Sequence, residues 1–207
     1  MKPCCSYLAG SLLAVFLLAA AALAGTYNKQ LSIGDAAPDW KDLVGTDGQK
    51  HSLTEFQDKD VLVLCFTCNT CPYAVDYEDR LIELAKKFDV EGNRFALVAI
   101  NANQVKDDLL PAMQERAKAK GFNFPYLHDE TQQVARSYGA MFTPEFIVLN
   151  KDRKVVYLGA MDDSPDGKKI TKRYVEDAVA AALAGKSPPV AESPAVGCAV
   201  RYVRERK

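Results

Sequence analysis

Cys68 and Cys71 are separated by two residues, Asn69 and Thr70, and Pro72 follows directly. Two thiols at this spacing serve either disulfide exchange or part of a metal site, and what holds them decides which. A thiol in the first turn of a helix faces unpaired backbone N–H groups and the positive end of the helix dipole. Both favour thiolate over thiol. In such a turn Cys71 comes within bonding reach of Cys68. A mixed disulfide formed at Cys68, read as the attacking sulfur, is then resolved by Cys71, and run backwards the same pair oxidises a client dithiol. Pro72 suits an early helical position, where its missing N–H costs nothing.

The surrounding pattern supplies the required turn. Val61 to Phe66 is a continuous apolar, β-prone run of the kind buried on both faces of a sheet. After it, Val75, Leu81, Ile82, Leu84, Ala85 and Phe88 form one stripe of a helix starting near Cys71, and Gly92 ends the connection. Phe95 to Ile100 predicts a second strand, followed by a helix from Asp107 to Lys120 with Leu109, Leu110, Met113 and Ala117 on one face and Gly121 at its exit. That makes a βαβ crossover, right-handed by default. A short helix over Glu130 to Tyr138 leads through Thr143-Pro144 into a hairpin of Glu145 to Leu149 and Val155 to Leu158, turned by Asn150 to Arg153. Tyr174, Val175, Ala178, Val179, Ala182 and Leu183 predict a closing amphipathic helix. Upstream, Leu31 to Gly48 reads as an irregular lead-in or small hairpin around Trp40, with a short helix over Leu53 to Phe56. The tail from Gly185, which contains Pro188, Pro189 and Pro194, is expected to be extended or loosely held.

The composition suits one domain with a full core: 207 residues, 48% of them hydrophobic. With 26 basic against 27 acidic residues, the net charge of -1 leaves no electrostatic footprint for nucleic acid. Tyr7 to Ala24 carries no charge, follows Lys2 and closes on Ala22-Leu23-Ala24, the pattern of a secretory signal peptide cleaved after residue 24. The same run is just long enough to remain as an anchor, the one circumstance in which a membrane is a partner. Cys4 and Cys5 would leave with the signal. The expected organisation is therefore 1–24 targeting segment, 31–184 domain and 185–207 tail, in a secreted or periplasmic, disulfide-permissive setting.

The order β-α-β-α-(α)-β-β-α with C-x-x-C between the first central strand and its helix, together with Thr143-Pro144 ahead of a hairpin strand, resembles the thioredoxin-like superfamily. Ile33 to Pro38 and the Phe66-Thr67-Cys68 approach are similar to the extracytoplasmic redoxins grouped with alkyl hydroperoxide reductase and thiol-specific antioxidant proteins. The resemblance implies an α/β thioredoxin-like fold with a central mixed β-sheet flanked by helices. It implies thiol-disulfide oxidoreductase activity toward disulfide-containing or dithiol protein clients, with an electron donor and no cofactor. It also implies that Pro144 follows a cis bond, with Thr143 and Pro144 forming the surface an extended substrate lies against.

The departures are specific. Thr67 stands where thioredoxins often carry Trp, and the strand Val61 to Phe66 lacks their buried carboxylate. Glu78 or Asp60 could substitute, although solvated surface charge is the simpler reading of both. Peroxidase chemistry would want a Thr three residues and a Pro seven residues before its cysteine, and neither Cys68 nor Cys71 has them. A copper carrier would add His51 or His128 to the cysteine pair. Cys65 completes a C-x2-C-x2-C run, but on a strand it reads as a small core residue instead of a metal ligand. Pro72 excludes the C-x-x-C-H of covalent haem, and Asp162, Asp163 and Asp166 lack calcium-loop spacing. Cys198, in the apolar patch Val196 to Val200, is a candidate third redox thiol that folds back on the pair, or else a merely structural cysteine.

Overall fold

The computed structural model describes residues 25–89 and 94–204. The targeting segment with Cys4 and Cys5, and Gly92, lie outside them. Alternation along the central strand organises the rest. Leu62, Leu64 and Phe66 of β3 (Val61–Phe66) point into one core layer, and Val61, Val63 and Cys65 point into the other. All six are buried, so the strand must be covered on both faces.

It is flanked by β4 (Phe95–Asn101), which pairs with it in parallel, and β7 (Glu145–Leu149), which pairs antiparallel. β8 (Val155–Gly159) closes the expected hairpin with β7. On the other side, β5 (Tyr126–His128) runs parallel to β4 and carries an antiparallel hairpin of β1 (Leu43–Gly45) and β2 (Lys50–His51). The result is a seven-stranded mixed sheet in the order β2-β1-β5-β4-β3-β7-β8. Strand β5 was not expected from the sequence. At three residues ending in His128, it has neither the length nor the unbroken apolar character that marks β3.

Helices α1 (Pro72–Phe88), α2 (Leu110–Lys120) and α4 (Tyr174–Leu183) contribute Tyr77, Leu81, Met113, Val175 and Val179 to the layer that also holds Cys65. Trp40, Phe56 and α3 (Gln133–Ser137) cover the opposite face. The expected helix over residues 107–120 is divided. Lys106–Asp108 is a 3-10 turn, α2 begins at Leu110, and Met113 is the buried residue of that helix. Pro111 is the reason: inside a longer helix its ring would meet the Asp107 carbonyl, whereas near the start it is harmless. Gly121 ends α2 in the left-handed region, as its position suggested.

The tail departs most from expectation. It is docked, not loose: β9 (Cys198–Ala199) pairs antiparallel with β6 (Phe142–Thr143). Ser193 Oγ bonds the Tyr157 hydroxyl at 2.7 Å and accepts the Ala160 N–H, and the Tyr202 hydroxyl donates to the Ala140 carbonyl at 2.6 Å. These anchors lie on both sides of Cys198. Two-residue pairing leaves no periodicity for a sequence to display. Among the described residues, no helix is long and apolar enough to cross a membrane.

Candidate active site

Strand β3 ends at Phe66 and the chain turns through Thr67 to Thr70 into α1, placing both cysteines of the motif at the C-terminal edge of the sheet. Cys71 is the N-cap of α1, in extended conformation, and its carbonyl accepts the first helical N–H, that of Val75. Pro72 takes the first helical position. The helix start thus lies at Cys71, and Cys68, in the turn before it, accepts the N–H groups of Thr70 and Cys71. Burial and, to a lesser degree, the Asp108 charge hold the Cys68 thiol above its ordinary value, against hydrogen bonds with Thr143 and with the N–H groups of Cys71 and Thr70. Burial also opposes ionisation of Cys71. Hydrogen bonds from the Cys198 thiol, the Ala74 N–H and Thr143 outweigh it and bring Cys71 below the ordinary value.

Thr143 meets both sulfurs. Its hydroxyl lies 3.4 Å from Cys68 Sγ, and its carbonyl accepts from Cys71 Sγ at 3.0 Å when that group is protonated. The Thr143–Pro144 peptide is cis. Cys198 packs against Cys68, Cys71 and Ala74, and all three thiols are free. Cys68 and Cys71 are only 3% and 2% exposed, so Cys198 is the most accessible sulfur of the three. The structure thus brings together Cys68, Cys71, Thr143, Pro144 and Cys198.

The turn between the cysteines rests on Asp108, which is completely buried and was not singled out from the sequence. Its carboxylate accepts from the Asn69 N–H at 2.7 Å, the Thr70 N–H at 3.0 Å, the Thr70 hydroxyl at 2.7 Å and the Asn103 amide at 3.0 Å. Asn69 is further held by the Tyr126 hydroxyl and the Asp107 carbonyl. Glu78 and Asp60 do not take this position. Glu78 is buried, contrary to its reading as surface charge, and forms a bidentate pair with Arg116 at 2.7 Å across α1 and α2. Asp60 pairs with Arg94 beside the start of β3, the end remote from the cysteines.

Other candidates fall into structural roles. Cys65 is fully buried in the core, which pushes its thiol far above the ordinary value. His51 bonds Asp47 and Glu55. Asp162 pairs with Arg80, Asp163 accepts from Thr171 and Lys172, and Asp166 accepts from Ser164 and Lys168. Among the described residues there is no group of three or more side chains suited to hold a metal ion.

Glu145 opens β7 beside this platform and accepts the N–H groups of Met141 and Phe142 at 2.7 and 3.0 Å. Burial raises its carboxyl above the ordinary value, although those two donors act the other way. The folded state therefore holds this proton more tightly than the unfolded chain. The associated stabilisation is full below the unfolded value and is lost as pH rises through the folded one. Wild type should lose more stability than Glu145→Gln as pH rises above about 4, the unfolded value. Urea midpoints across that rise check this, and parallel profiles would contradict it.

A family model described as Redoxin matches residues 32–178. The chain is 33% identical to a hypothetical protein from Sinorhizobium meliloti 1021, whose crystal structure superposes with a TM-score of 0.79 over 87% of this chain and 100% of that one. It is 25% identical over 133 residues to the thiol-disulfide oxidoreductase ResA of Bacillus thuringiensis subsp. konkukian, covering 63% of this chain and 71% of that protein. The fold is also that of the thioredoxin domain of a thiol-disulfide oxidoreductase from Bacteroides vulgatus, at a TM-score of 0.53 and 18% identity over 62% of this chain and 88% of that one. With a family model covering most of its length and a mixed sheet flanked by helices, the chain belongs to the Redoxin family and has a thioredoxin-like α/β fold.

Proposed function

We propose that this protein is a thiol-disulfide oxidoreductase that exchanges disulfides with protein clients through Cys68 and Cys71, with Thr143 and Pro144 as the surface a client lies against. One observation carries this reading: two free thiols at a strand-to-helix turn, both within hydrogen-bond distance of Thr143. The roles follow the ionisation order. Cys71, favoured as thiolate, attacks a client disulfide and releases one client thiol. Cys68 then gives up its proton, attacks the Cys71 sulfur and releases the other. Two electrons pass from the pair to the client, and an external thiol donor restores them. The uncharged run from Tyr7 to Ala24 supports an extracytoplasmic setting, where such exchange has clients.

Dithiothreitol-driven reduction of insulin tests the activity, and the reduction potential of the Cys68/Cys71 pair fixes its preferred direction. Catalysis of insulin reduction is the expected result. Rapid consumption of hydrogen peroxide without insulin reduction would replace this reading with a peroxidase.

A further inference from the structure

The strand that covers the cysteine pair belongs to the chain's own tail, and its placement is that of an extended peptide bearing a cysteine. Cys198 lies opposite Thr143 in the antiparallel β6–β9 pairing, and the Val200 N–H donates to the Met141 carbonyl at 2.9 Å. Gly197 passes so close that a Cβ there would stand 2.1 Å from the Thr143 carbonyl oxygen, so the approach is open only to glycine. The edge of Thr143, which the proposed function gives to a client, is thus filled by residues 197–200, with Cys198 packed against Cys68, Cys71 and Ala74.

We propose that this tail strand is a built-in occupant of the client position, and that Cys198 is a second redox partner of Cys71, so that oxidation can tie the strand covalently over the site. The inference rests on the exchange chemistry proposed above. Cys71 thiolate attacks a disulfide R–S–S–R′, forming Cys71–S–S–R and releasing R′–S⁻, which takes up a proton. Cys198 loses its proton to water and attacks the Cys71 sulfur, forming the Cys71–Cys198 disulfide and releasing R–S⁻. Two protein thiols are oxidised and one client disulfide is reduced.

Electrostatics orders the two steps. In the reduced protein, the hydrogen bond to Cys71, then burial, hold the Cys198 thiol up at about 11. Once Cys71 is bonded to R it is no longer an anionic acceptor, and the restraint on Cys198 ionisation is relieved. The strand also indicates what the site accepts: an extended client segment with glycine immediately before its cysteine, running antiparallel to Phe142–Thr143.

Glutathione disulfide is the probe, added to the full chain, followed by acid quench, thiol blocking and peptide mapping. In Cys68→Ala, the expected product is a Cys71–Cys198 disulfide. Adding Cys198→Ser to that background should lengthen the life of the Cys71–glutathione mixed disulfide by about tenfold or more. Equal lifetimes in the two variants, with a Cys68–Cys71 disulfide still formed by wild type, would overturn the tail-strand role and leave the exchange reading standing. If the wild-type pair neither joins nor takes up glutathione, both fall. Gly197→Val gives an independent check in the wild-type cysteine background. Its wedge against Thr143 should unseat the strand and speed iodoacetamide modification of Cys71 severalfold, and an unchanged rate would refute the cover.

Discussion

Replacing Cys71 by serine is expected to return insulin reduction to the rate seen without protein, while Cys68→Ser keeps a measurable part of the activity. Cys71 is the one sulfur shared by both proposed pairs: it belongs to the C-x-x-C motif and packs against Cys198. It caps α1, and its hydrogen bonds bring its thiol below the ordinary value, whereas burial raises that of Cys68. A serine oxygen in its place forms no disulfide, so neither capture nor resolution of a client can proceed. In Cys68→Ser, Cys71 still captures and Cys198 resolves. Dithiothreitol-driven insulin precipitation measures both variants. Full activity in both variants would refute the exchange mechanism. Activity lost in Cys68→Ser but kept in Cys71→Ser would return the attacking role to Cys68.

The part of this site that repeats along the chain was legible in the sequence. The apolar run Val61 to Phe66 and the stripe from Val75 to Phe88 place Cys68 and Cys71 at a strand-to-helix turn, because period and burial are local properties. What surrounds each sulfur depends on Thr143 and Cys198, more than 70 positions further along, and a local pattern carries nothing of those contacts. Asp108 shows a second kind of limit. Beside Asp107 and Lys106 it reads as one more surface charge, and its burial follows only when the 3-10 turn before Pro111 swings it under Asn69 and Thr70. Glu78 is similar, since its burial depends on Arg116, 38 positions away. The tail shows a third. The apolar patch around Cys198 was visible as a patch, but its partner at β6 is two residues long and its fit is set by the absence of a side chain at Gly197.

Asp108→Ala is expected to cost about 2 to 4 kcal/mol, because two half-buried N–H groups lose their acceptor at roughly 1 kcal/mol each and the charged hydrogen bonds to Thr70 and Asn103 go as well. Against a total stability of about 5–15 kcal/mol, that is a large fraction. Asp108→Asn keeps one carbonyl acceptor for the Asn69 and Thr70 N–H groups, but its amide meets the Asn103 amide donor to donor. About half the loss is expected. Urea unfolding reads the difference as a shift in midpoint at constant slope. A loss under about 1 kcal/mol for Asp108→Ala would mean that water or a rearranged turn replaces the carboxylate. The asparagine variant also separates scaffold from electrostatics. Burial is the main reason the Cys68 thiol resists ionisation, but the Asp108 charge adds to it. Removing that charge should therefore move the pH midpoint of Cys68 alkylation downward even while the variant remains folded. If stability falls and the Cys68 profile stays fixed, Asp108 supports the turn without tuning the sulfur beside it.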